Sequence, residues 1–148
     1  GARLPLLGVI ANQSSIQIST NSYDGSVSGL PLSLTQPVGY FPISELRFAN
    51  PRAGEVTAIA FRFQPNMQMA NGDRISLLLP LFTGASVASF DVTATPAGRL
   101  VRASWDVGTT MLTLTVGGPN CAETVLLANE IFSVLVASSV GITLPQVG

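Results

Sequence analysis

Apolar and polar residues alternate with a period of two through Leu100 to Val116, LVRASWDVGTTMLTLTV. Val101, Ala103 and Trp105 fall on one side, Arg102 and Ser104 on the other. After Asp106-Val107-Gly108-Thr109-Thr110 the pattern resumes, with Leu112, Leu114 and Val116 set against Thr113 and Thr115. A period of two is that of a strand with one face in a core. Two such runs joined by a short Asp/Gly-containing loop predict an antiparallel hairpin. Trp105, the single tryptophan, marks the core side, where its indole N–H needs an acceptor.

The same pattern recurs along the chain. Ser15 to Thr20 alternates, with Ile16 and Ile18 on one face. Asn21 to Gly29 is rich in turn formers, and Asp24-Gly25 predicts a tight turn. Leu30, Leu32 and Leu34 then alternate, and Pro31 within them points to an edge strand. Ser44, Leu46 and Phe48 predict a further strand. In Glu55 to Phe63, Ile59, Phe61 and Phe63 share one face, and Val56, Ala58, Ala60 and Arg62 a second that is nearly as apolar. That combination fits a central strand or a face covered by another subunit. Ile75, Leu77 and Leu79 alternate up to Pro80, and Phe90, Val92 and Ala94 follow a loop of small residues. Gly117 to Cys121 breaks the sheet, Val125 to Ala128 offers one helical turn, and Phe132, Val134 and Val136 give the last clear strand. Met67 and Met69 are expected to pack on neighbours, because two thioethers without His or Cys make a poor metal site. Roughly eight to ten short strands at regular spacing predict an all-β, immunoglobulin-like β-sandwich with Greek-key connections, with a jelly roll as the second choice.

Both ends are more apolar than free tails should be. Residues 1–11 carry Leu4, Leu6, Leu7, Val9 and Ile10, and residues 140–148 carry Ile142 and Leu144. The N-terminal segment is either the first strand of its own domain or an arm donated to a neighbouring sheet. The expected organisation is therefore an arm at 1–11, a sandwich at 12–139 and a tail at 140–148, with those seven apolar residues as candidate assembly contacts. The chain opens on Gly1, so a mature product or a segment of a longer one is expected.

Charge sharpens this expectation. Of 148 residues, 47% are apolar and only 10% charged, for a net charge of −1, against about 25% charged in an ordinary soluble domain. So few charges protect poorly against self-association, which suggests a surface covered by neighbouring subunits or by glycans. Asn12-Gln13-Ser14 is an N-glycosylation acceptor pattern. The scattered arginines form no basic run, which argues against nucleic acid as a partner. No segment reaches the ~20 apolar residues of a membrane-spanning helix, so no membrane insertion is expected. Cys121 stands alone and cannot form a disulfide within the chain; a buried or loop thiol and an intermolecular bridge are the two alternatives.

The chemistry left to such a chain is narrow. Without histidine or lysine the Ser-His-Asp and Cys-His schemes, most zinc sites, the Schiff base and the P-loop are excluded. Eight carboxylates remain, mostly at turns or outward strand positions. No catalytic residue, cofactor or metal is therefore expected. A calcium ion on Asp24 or Asp73 with loop carbonyls lacks the usual run of acidic ligands. Tyr23, Tyr40 and Phe41, all in loops, are the candidates for carbohydrate contact.

The stretch DRISLLLPLFTGASVASFDVTATPAGRLVRASWDVGTTMLTLTV, with the closing GITLP, resembles repeated β-sandwich modules in large surface or secreted proteins of algae and other microbial eukaryotes. The shared features are a leucine-rich strand followed by Pro and Phe-Thr-Gly, then a Trp-Asp and Leu-Thr-Leu-Thr-Val hairpin. The resemblance covers residues 55–145 and implies an extracellular structural or adhesive role. The resulting expectation is a non-enzymatic protomer of an extracellular filament, joined head to tail by strand donation. A monomeric adhesion or carbohydrate-binding module is the alternative, and a viral jelly-roll coat protein comes third.

Overall fold

The structure is a computed structural model and describes residues 8–117 and 126–146, with the backbone alone at Val101. It contains ten strands and one 3-10 turn, Ser138–Val140, and no α-helix among the described residues. The chain divides into two compact units, residues 1–40 and 41–148, whereas the sequence reading placed its boundaries after residues 11 and 139.

The first unit holds one hairpin, β1 (Gln17–Ser22) and β2 (Gly25–Pro31). Its turn is Tyr23-Asp24, because Ser22 pairs with Gly25. The stretch expected to be a long turn is thus mostly strand, and only two residues reverse the chain.

The second unit consists of two four-stranded antiparallel sheets, a β-sandwich-like arrangement. The strands are β3 (Ile43–Phe48), β4 (Ile59–Gln64), β5 (Arg74–Leu78), β6 (Val87–Asp91), β7 (Thr93–Thr95), β8 (Leu100–Asp106), β9 (Met111–Val116) and β10 (Phe132–Val136). One sheet runs β3-β4-β10-β7 and the other β5-β9-β8-β6. In the immunoglobulin order the second strand of the domain lies beside the fifth. Here the second strand, β4, lies between β3 and the last strand, β10.

The inward residues follow the alternation. Ile59, Phe61 and Phe63 of β4, Leu112, Leu114 and Val116 of β9, and Phe132, Val134 and Val136 of β10 are all buried. Phe63 stacks on Phe61 at 4.8 Å and on its cross-strand partner Phe132 at 5.6 Å between ring centroids. Met69 is part of this core and Met67 packs against it. Each large apolar side chain withdrawn from water contributes about 1.5–3 kcal/mol before the cost of ordering the chain.

Two irregularities change which residues face inward. Leu100 pairs with Val116 while Arg102 pairs with Thr115, so Val101 is an extra residue in β8. This bulge puts Leu100 in the core, where strict alternation had placed Val101. The second irregularity is a change of sheet. β6 pairs with β8 in one layer and β7 with β10 in the other, with Val92 alone between them.

The C-terminal segment belongs to this unit. Thr143 bridges both Val56, ahead of β4, and Thr83, after β5. Ile142 and Leu144 on either side of it are buried. Gly84 permits this approach. A Cβ there would collide with the Gly141 carbonyl, and its φ of +120° disfavours any other residue.

Trp105 is 1% exposed, as expected of a core residue, but its Nε1–H has no acceptor. At the end of the same strand, Asp106 organises the hairpin turn. It accepts from Thr109 Oγ1 at 2.7 Å, Gly108 N–H at 3.0 Å and Ser86 Oγ at 3.3 Å. These hydrogen bonds, Thr109 first, hold its carboxyl below the ordinary 3.8.

Leu112→Ala, which leaves a cavity beside Trp105, is expected to cost about 2–5 kcal/mol in chemical denaturation. Because the folded-state pKa of Asp106 is lowered, its contribution to stability is present above 3.8 and lost as the pH falls through the folded value. Asp106→Asn should flatten that acid limb in denaturation midpoints measured from about pH 5 downward.

Candidate functional site

Among residues 8–40, the described part of the first unit, Asp24 at the hairpin tip is the single ionisable side chain apart from the phenols of Tyr23 and Tyr40. Its hairpin has two unlike faces. Ile18 stands opposite Leu30, and Thr20 opposite Val27. One residue on β1, Ser19, therefore stands against two on β2, Ser28 and Gly29, and the extra residue is accommodated at Gly29, with φ +64°. The Gly29 N–H donates to Ser19 Oγ at 2.9 Å across this bulge. Val27 and Leu30 lie three apart and would face opposite sides of a regular strand. The bulge puts them on one face with Ile18. Leu32 extends the stripe, its N–H donating to the Ile16 carbonyl at 3.1 Å.

This stripe is open to solvent. Ile18 is 53% exposed, Val27 44% and Leu30 56%, and Tyr23 at the tip is fully exposed. A two-stranded ribbon is at best marginally stable in water by itself, and clustered exposed apolar side chains mark a surface made for contact. Sequence reading missed Val27, because Asn21 to Gly29 looked like a turn. The available signal was Gly29, whose isolated position within a strand pattern is the mark of a bulge.

The residues expected at an assembly joint are distributed unevenly. Leu4, Leu6 and Leu7 lie outside the described residues. Val9 is half-buried and exchanges both backbone hydrogen bonds with Val38, at 3.1 and 2.8 Å. Ile10 is exposed. Ile142 and Leu144 are buried within the second unit and paired there, so the structure does not bring them to a surface. Asn12, the glycan acceptor candidate, is exposed, and its side-chain oxygen accepts from Thr35 N–H at 3.4 Å.

Several of the carboxylates are occupied with local structure. Glu45 pairs with Arg62 at 3.2 Å and with Arg47 at 3.5 Å, Glu130 pairs with Arg99, and Glu55 accepts from Asn50. Asp73 accepts from Ala70 N–H at 2.8 Å and shapes its own turn. Among the described residues no three His, Cys, Asp or Glu side chains converge as metal ligands; Cys121 and Glu123 lie outside them. Phe41, a candidate for carbohydrate contact, packs edge-on against Phe63 at 5.9 Å and is partly buried on the core. Among the described residues no helix is long and apolar enough to cross a membrane.

No family model, curated protein or solved structure matches the chain. The functional reading therefore rests on the molecule's own geometry.

If the hairpin face is an open apolar surface, it should bind a hydrophobic fluorescent dye such as ANS. Replacing Ile18 and Leu30 together with Thr keeps strand propensity and should reduce that dye emission several-fold in dilute protein.

Proposed function

We propose that this chain is a non-enzymatic structural protomer that assembles with copies of itself into an extracellular filament. The single observation that carries the reading is the exposed apolar stripe Ile18, Val27 and Leu30 on a hairpin that no second layer covers among the described residues. Asp24 is the only formal charge among residues 8–40, so little electrostatic repulsion opposes a close approach by another copy. Contact between this ribbon and a different surface of the next copy is heterologous. Repeated without closure, it builds a helical fibre rather than a dimer.

Strand donation is the form of contact that fits the sequence best. The N-terminal arm, with Leu4, Leu6 and Leu7, would pair with an edge strand of the next protomer, making a joint of an otherwise hazardous edge. The outer strands β3, β7, β5 and β6 supply such edges. Asn12, exposed in the first unit, is available to a glycan that would keep lateral surfaces apart.

Electron microscopy with size-exclusion chromatography tests the proposal. The full chain should give regular filaments, whereas Ile18→Asp with Leu30→Asp, and separately deletion of residues 1–11, should give folded protein that stays monomeric. Each buried charge opposing assembly costs several kcal/mol, enough to raise the critical concentration by more than about a hundredfold. Undiminished fibres from both variants would sink the reading.

A further inference from the structure

The two outer sheet faces of the second unit treat their arginines differently. On β3 and β4, Glu45 neutralises both Arg47 and Arg62. On the other sheet, Arg74 of β5 and Arg102 of β8 stand directly opposite the same residue, Thr115 of β9, one from each side. Directly opposed residues share a face, so both guanidinium groups project from the outer surface with Thr115 between them. Their strands are two inter-strand spacings apart, about 10 Å, a gap that two arginine side chains can close from either side. Neither forms an ion pair among the described residues. Asp91 is opposite Arg102 on β6, yet no ion pair joins them.

The surface between the two arginines is a shallow groove of about 390 Å³, in which Ser104, Thr113 and Thr115 supply hydroxyl groups. In a protein with so few charges, two guanidinium groups across one strand, against the single carboxylate of Asp91 beside Arg102, leave a net positive charge on this face. Guanidinium forks match the paired oxygens of a carboxylate or sulfate. The hydroxyls between them donate or accept as needed, which suits the neutral hydroxyls of a sugar. An open groove on a sheet face, rather than an enclosed pocket, accommodates a group carried on a chain.

We infer that the Arg74–Thr115–Arg102 groove is a binding site for an oxyanion, a sulfate or carboxylate, of the kind carried by an acidic saccharide. This inference is independent of the assembly reading, since it rests on a different unit and on charge rather than apolar exposure. Arg74 and Arg102 clasp the anion from two strands, and Thr113 and Thr115 hydrogen-bond its neighbouring hydroxyl groups.

Isothermal titration of the full chain at low salt decides it. The probes are a sulfated oligosaccharide, a uronate oligosaccharide, a neutral oligosaccharide of the same length, and inorganic sulfate. The expected result is binding of both acidic oligosaccharides, weakened by added salt, with none of the neutral one. R74Q and R102Q should each weaken binding about tenfold, the scale of one charge-assisted pair. R47Q, on the opposite outer face, should leave it unchanged. Equal affinity for inorganic sulfate assigns the same cradle to the free ion; a clear preference for the oligosaccharide assigns it to the saccharide. Since both arginines are exposed, circular dichroism and thermal melting should show the variants folded. Lack of binding by every anionic probe, or undiminished binding by folded R74Q/R102Q, overturns the inference.

Discussion

A strand buried on one face must send every second side chain into the core, and the β8–β9 hairpin meets that demand at the centre of its sheet. Leu112, Leu114 and Val116 lose all or nearly all contact with water, and Trp105 fills the space opposite Leu112. The flanking strands β5 and β6 pair against this hairpin, so their register follows from it. A one-residue slip would turn the whole set outward. The core accepts one unfavourable term, the unpartnered Trp105 N–H. A buried donor without an acceptor costs about 1–3 kcal/mol, less than the burial of so large a side chain together with its neighbours contributes.

The two units solve the same problem with different success. In residues 41–148 each sheet finds a second sheet, and the C-terminal segment ties Val56 and Thr83 together through Thr143. In residues 8–40 the hairpin has two strands and one apolar face, and its two strands pair without that face being covered by any described residue. Hydrogen bonds alone contribute little net stability, because water competes for the same groups. A ribbon of this kind gains most when another surface removes Ile18, Val27 and Leu30 from water. That physical deficit, more than any motif, is why self-assembly is the favoured reading.

The polar groups divide in a similar way. Most of the described carboxylates with partners serve turns or balance a nearby arginine, as Asp106, Asp73 and Glu45 do. Such roles fix local geometry. Arg74 and Arg102 are different because the pairing of β5, β9 and β8 brings them to one place without an ion pair to either, although Asp91 stands opposite Arg102.

The strands and their inward residues were largely legible from the chain, because a period of two is a local property that any half-buried strand displays. Ile59, Phe61 and Phe63, and Leu112, Leu114 and Val116, needed no partner to be recognised. What could not be read were features that depend on which strands meet. The bulge at Val101 that turns Leu100 inward, the bulge beside Gly29 that gathers Val27 with Leu30, and the change of sheet at Val92 arise from the fit between strands distant in sequence. The burial of Ile142 and Leu144 has the same origin, since an apolar tail and an apolar core strand look alike until a groove is there to receive one. Arg74 and Arg102 are 28 residues apart in the chain, and no local pattern relates them. The sequence by itself determined that the chain forms amphipathic strands and contains neither histidine nor lysine. Tertiary structure alone decided which apolar residues are covered, which remain open, and which charges meet, because burial and proximity are properties of paired strands.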